Sequence, residues 1–152
     1  KDKRGIELQL LYSDENFSVP ANVYIIGMMN TADRSLAMLD YALRRRFSFF
    51  TMKPGFNTPG FQAYQDSLKN DAFNKLIACV KQLNSKIVED ISLGEGFCIG
   101  HSYFCGLTPE TANTHTLSSI VEYELIPLLK EYWFDEPAKI VDWSDQLRSA
   151  VK

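Results

Sequence analysis

The run Asn22-Val23-Tyr24-Ile25-Ile26-Gly27-Met28-Met29 is apolar after its first residue and carries no polar alternation. A half-exposed strand alternates apolar with polar side chains; an unbroken apolar strand is usually covered on both faces, as at the centre of a parallel sheet. The run therefore points the surrounding fold to the α/β kind. It stops at Asn30, and Asp33 or Ser35 can cap a following helix whose Leu36, Leu39 and Leu43 form one apolar stripe. That helix ends in Arg44-Arg45-Arg46, where cations favour the negative end of the helix dipole. Phe47 to Met52 then reads as a second buried strand, closed by Pro54-Gly55. Upstream, Ile6, Leu8 and Leu10 alternate with Glu7 and Gln9, a half-buried strand; Ser13 to Asn16 is a turn, and Phe17 to Pro20 supplies a return strand.

Beyond Pro59 the pattern turns helical. Helices are expected over 59–68 and 71–91, the second with Phe73, Leu76, Ile77, Val80, Leu83 and Ile87 on one face. Glycines at 94, 96, 100 and 106 interrupt the pattern. Two last helices are expected over 116–133 and 137–151, with Pro127 predicting a kink or break in the first. The organisation is thus an α/β part over 1–55 and a mainly helical part over 56–152. A length of 152 residues with 45% hydrophobic and 23% charged side chains suits such a globular body and excludes a disordered tail or a disulfide scaffold. The net charge of −3 gives no bulk attraction to nucleic acid. The longest apolar run is too short to cross a bilayer, so no membrane association is expected. Cys79, Cys98 and Cys105 are sparse and odd in number, which fits a reducing, cytoplasmic setting. The opening Lys-Asp-Lys-Arg reads as the start of a piece cut from a longer protein.

Several chemistries lack their residues. A phosphate loop needs G-x-x-x-x-G-K-[ST]; the nearest approach, Gly94 to Gly100 followed by His101-Ser102, has one residue too many and no lysine. No apolar strand ends in an acidic pair suited to magnesium, and Val88-Glu89-Asp90 reads as a solvated helix end. Cys98, His101, Cys105 and His115 supply soft ligands, but their spacing departs from structural zinc sites and suits buried cysteines beside a turn histidine. Asn30 and Asp33 admit three readings. They are turn and cap residues; or they echo the Asn-Lys-x-Asp that reads guanine in small GTPases, with Thr31 in place of the lysine. Or Asn30 stands at the C-terminal rim of a central strand, where open α/β sheets place their ligands and an amide can orient water or a phosphate oxygen. The three arginines are either solvated helix-end cations or, for one or two of them, guanidinium groups able to reach a phosphate on a neighbouring subunit.

Asn22 to Phe47, with its Met-Asn-Thr-Ala-Asp-Arg-Ser string and the later Ala-Leu-Arg-Arg-Arg-Phe, closely resembles the AAA+ motor subunit of modified-cytosine-specific restriction systems, the McrB type. Ile99-Gly100-His101-Ser102-Tyr103-Phe104 is similar to the lid region of the same family. The resemblance implies the C-terminal part of an AAA+ module, with a partial parallel sheet, followed by a helical lid. It implies a nucleoside triphosphatase, typically using GTP (or ATP) with Mg2+, that assembles as a ring. The ring works with a McrC-type nuclease subunit on methylated DNA. By the same match Asn30 is the sensor-1 residue and Asp33 belongs to its motif. Arg45 and Arg46 are the first candidates for trans-acting arginine fingers and Arg44 the third, while His101 and Ser102 fall on the nucleotide-facing side of the lid. The phosphate loop, the magnesium-binding acids and the DNA-reading domain would lie elsewhere in the full-length protein, so this piece is expected to hydrolyse nothing alone. A non-enzymatic adaptor and an ATP-driven relative with another cargo are the alternatives.

Overall fold

The computed structural model describes residues 4–29 and 45–152. The chain forms two compact units, Lys1–Phe50 and Thr51–Lys152.

In the first unit the expected hairpin forms, but it is short. Strand β1 (Leu8–Gln9) pairs antiparallel with β2 (Asn16–Phe17), Leu8 opposite Phe17 and Gln9 opposite Asn16. The connection is closed by the Leu10 N–H donating to the Glu15 carbonyl at 2.9 Å, with Asp14 in the left-handed region at φ 53°. An aspartate tolerates that conformation because its short carboxylate can bond the local backbone. Gly5 N–H donates to the Val19 carbonyl at 2.7 Å, and the Arg4 guanidinium lies 4.4 Å from the Tyr24 ring centroid.

Two strand expectations fail here. Val23 to Met29 forms no ladder among the described residues, and Ile26 is 92% exposed. The same holds for Phe47 to Met52, where Phe50 is 89% exposed. The apolar side of β1 is also exposed, so the half-buried strand read from Ile6, Leu8 and Leu10 has no core beneath it. The physical reason is common to all three. A strand exists only where another strand takes its backbone hydrogen bonds, and an apolar run buries only against a partner surface. The described residues supply no ladder partner to the two apolar runs and no covering surface to any of the three, and the parallel sheet is not seen among them. The helix expected before Phe47 lies outside the described residues.

The second unit is helical, and every buried apolar side chain among the described residues belongs to it, from Phe56 to Val151. Helix α1 (Pro59–Leu68) starts where Thr58 accepts the Phe61 N–H and Pro59 fills the first turn. It ends with Lys69 left-handed at φ 49°. Asn70 caps α2 (Asp71–Glu89) by accepting the Phe73 N–H at 2.9 Å, and its amide donates to the Ala112 carbonyl. The expected α2 face is buried throughout: Phe73, Leu76, Ile77, Val80, Leu83 and Ile87 all lie inside the core, packed chiefly against the last helix.

Asn113 caps α3 (Thr114–Ile120) through the Thr116 N–H, two residues before the expected start. A π-turn (Val121–Leu125) follows without interruption, and then α4 (Ile126–Tyr132). Pro127 thus produces neither a sharp break nor a lost helix. Its ring would collide with the carbonyl four residues back and it donates no N–H; widening the preceding turn by one residue relieves both. Backbone angles stay helical through the turn, and the Ile126 N–H reaches the Val121 carbonyl. Helix α5 (Pro137–Ala150) closes the unit, tied to the π-turn by Arg148, whose Nε and Nη2 donate to the two Glu122 carboxylate oxygens at 2.5 and 2.9 Å. No helix among the described residues is long and apolar enough to cross a membrane.

Candidate functional site

Residues 98–113 contain only short 3-10 turns, Glu95–Phe97 just before them and His101–Phe104 within, yet three side chains fix part of this path to the helices. The first is Asn84, on the apolar stripe of α2 and 9% exposed. Its Oδ1 accepts the Ile99 N–H at 2.7 Å and its Nδ2 donates to the Ile99 carbonyl at 2.9 Å. An amide side chain here replaces the pair of bonds that an adjacent strand would supply.

The second link is His101. Its Nδ1 accepts the Gly55 N–H at 2.9 Å, so in this arrangement the ring proton belongs on Nε2. The ring packs edge-on against Phe56 and Phe61, with centroids 6.2 and 5.8 Å apart. Gly55 is required by proximity rather than by backbone angle: a Cβ there would stand 2.9 Å from His101 Cε1. The third is Tyr64 of α1. Its hydroxyl accepts the Leu107 N–H at 2.9 Å and lies 2.9 Å from the Phe104 carbonyl and 3.1 Å from that of Leu107, one of which takes its proton. Burial pushes its phenol pKa up, so the hydroxyl keeps that proton. With Phe104 buried beneath, the turn presents Ser102 to solvent on a pinned backbone.

Of the sequence-derived candidates, His101 and Ser102 are therefore neighbours on one fixed turn of the second unit. Arg45 and Arg46 are adjacent and exposed in a turn of the first unit. Asn30, Asp33 and Arg44 lie outside the described residues. The soft-ligand set is not gathered: among the described residues no cluster of His, Cys, Asp or Glu could hold a metal ion. His101 Nδ1 is engaged by Gly55, and burial, with the Glu95 carboxylate second, pushes the Cys98 thiol up and keeps it protonated.

One polar centre contradicts its sequence reading. Asp90 is not a solvated helix end; its side chain is 9% exposed. Oδ1 accepts from Ser92 N–H and Oγ at 2.8 and 2.6 Å; Oδ2 accepts from Trp133 Nε1 and Lys139 Nζ at 2.8 and 3.0 Å. These donors, Ser92 foremost, then Trp133 and Lys139, hold its carboxyl well below the usual carboxylate range. The sequence signal was slight: an acid at the end of a long helix, with Trp133 and Lys139 more than forty positions downstream. Asn84 was missed too, although a polar residue one position after Leu83 and three before Ile87 interrupts an otherwise apolar stripe and marks a buried bond donor and acceptor.

Fold and site together define the second unit as a helical body with one pinned, solvent-facing turn. Residues 75–141 match the family described as McrB, alpha-helical lid domain, and this unit carries that lid. The chain is 49% identical over 156 residues to the Type IV methyl-directed restriction enzyme EcoKMcrB subunit of Escherichia coli (strain K12), a match covering 96% of this chain and 34% of that protein. It is 32% identical over 91 residues to the Type II restriction enzyme BsuMI component YdiS of Bacillus subtilis (strain 168), covering 55% of this chain and 26% of that protein. The resemblance to McrB-type restriction subunits is thus shown, and the chain spans about a third of the first relative's length and about a quarter of the second's.

Proposed function

We propose that this chain is the C-terminal portion of an AAA+ NTPase, using GTP or ATP with Mg2+, that drives a methylcytosine-specific restriction complex. The observation that carries the reading is the 49% identity to the EcoKMcrB subunit, which runs along nearly the whole chain rather than the lid alone. The second relative is itself a restriction-enzyme component. Residues 1–55 are read as the last part of the AAA+ core and 56–152 as its lid. The full-length protein assembles as a ring, works with a McrC-type nuclease subunit and meets methylated DNA through a domain other than this one.

In that reaction the residues of this chain have three tasks. Asn30 orients the attacking water, with Asp33 supporting the same motif. Arg45 or Arg46 of one subunit offsets charge developing on the phosphate held by its neighbour, with Arg44 as the third candidate; a planar guanidinium suits two phosphate oxygens at once. His101 and Ser102 face the nucleotide from the lid. Magnesium, when bound with the nucleotide, neutralises phosphate charge; the described residues offer no cluster to hold it. Tight triphosphate binding needs a loop of backbone N–H groups and a lysine that this sequence does not contain, so the piece alone hydrolyses nothing.

The test uses full-length protein carrying Arg45→Ala or Arg46→Ala, with GTP and ATP turnover followed against protein concentration. A finger residue is worth on the order of 10³ to 10⁵ in rate, and one of the two substitutions is expected to show a loss of that order. Full turnover by both variants, independent of assembly, would reject the finger assignment. An unsubstituted protein that hydrolyses neither nucleotide would favour a non-enzymatic adaptor.

A further inference from the structure

The segment from Ile99 to Leu107 is held more firmly than its own backbone bonding explains. It has no ladder and only one short 3-10 turn, and such segments are ordinarily free to shift. Here Asn84 takes both backbone groups of Ile99, two residues before His101, and Tyr64 takes groups of Phe104, the last residue of the turn, and of Leu107 beyond it. The clamps come from different helices, α2 and α1, and bracket His101 and Ser102 on both sides. An apolar side chain at position 84 would leave the buried Ile99 N–H and carbonyl without partners, so the amide interrupts the Leu83–Ile87 stripe in order to hold that backbone. What the amide adds is a fixed backbone position for the turn.

We infer that Asn84 and Tyr64 are positioning residues for the lid's ligand-facing turn, setting where His101 and Ser102 stand when a nucleoside triphosphate is bound. The inference rests on the proposed nucleotide-facing role of that turn and goes beyond it by assigning two residues that touch no ligand. Preorganisation of this kind acts on binding: if the turn drifts by about 1 Å, its contacts are lost while the chemistry elsewhere is intact.

Full-length protein carrying Asn84→Asp, which keeps the acceptor and removes the donor, and Tyr64→Phe, which keeps the ring and removes the hydroxyl, tests this. Steady-state hydrolysis of GTP and ATP gives KM and kcat, and hydrogen exchange on peptides covering 99–107 reports the turn directly. The expected result is a KM raised about three- to tenfold at nearly constant kcat, with faster exchange in those peptides. Tyr64→Phe preserves the packed ring, so it keeps the inference testable if Asn84→Asp fails to fold. Faster exchange with unchanged KM in either folded variant would show a purely structural clamp and overturn the positioning role. An unsubstituted protein that binds neither nucleotide would overturn the parent reading, and this inference with it.

Discussion

At the scale of single residues, the buried polar groups do the most to join distant segments. Asp90 receives four hydrogen bonds and ties the end of α2 to Trp133 and to Lys139 of α5. Its carboxyl titrates below its unfolded value, so the unfolded chain takes up the proton first as pH falls. Its contribution is complete above the ordinary aspartate pKa of about 3.9 and is lost progressively below that, through the folded value. Asp90→Asn is therefore expected to cost about 1–3 kcal/mol at neutral pH, because a neutral amide keeps one oxygen to accept from Ser92, Trp133 and Lys139, while Lys139 retains the Glu136 carboxylate. Urea denaturation from pH 7 to pH 2 checks it: the gap between parent and variant should narrow below pH 4, and a gap independent of pH would be wrong for this network. Gly55 offers a second prediction. Gly55→Ala places a methyl group against the His101 ring, and either the ring turns or the Gly55–His101 bond breaks. A loss of about 1–3 kcal/mol in thermal or urea unfolding is expected, with His101→Ala relieving the clash so that the two losses are not additive.

At the scale of elements, the helices were legible because their signals are local. Thr58, Asn70 and Asn113 each cap through one N–H a turn away, and Pro59 and Pro137 stand where a missing donor costs nothing. The α2 stripe predicts the apolar residues of its buried face, from Phe73 to Ile87, with Asn84 the addition it does not announce. Leu76→Ala should then cost about 2–5 kcal/mol by leaving a cavity, whereas exposed Lys75→Ala, its neighbour in sequence, should stay within about 0.5 kcal/mol. Comparable losses at both positions would mean that the assigned face is wrong. The strands were not legible to the same degree. Val23 to Met29 is apolar enough for a buried strand, but pairing and cover are properties of other segments, and composition cannot supply them. The π-turn falls between these cases: Pro127 announced a disturbance, while its form was decided by Val121 and Leu125 staying in the core and Glu122 meeting Arg148. Likewise His101 and Ser102 could be picked out as a motif, but nothing short of the fold joins them to Asn84, Tyr64 and Gly55.

At the scale of the whole chain, the two units differ in what they leave uncovered. The lid encloses its core, whereas in the first unit Leu11, Tyr12, Ile26 and Met28 are each more than nine-tenths exposed. Apolar side chains at that density, beside backbone groups with no ladder partner among the described residues, favour association with another chain over contact with water. The net charge of −3 over 152 residues offers little repulsion to oppose it. The 152-residue chain is therefore expected to self-associate in solution, and sedimentation velocity across a tenfold range of concentration should show mass rising above that of one chain. Ile26→Lys introduces a charge in the middle of the exposed run and should shift the distribution toward the monomer without lowering the stability of the lid, since Ile26 belongs to the other unit. Raising the ionic strength separates the two drives: hydrophobic association persists or strengthens with salt, whereas association through opposite charges weakens. A parent chain that stays monomeric over the whole range would show that these side chains find cover within a single chain.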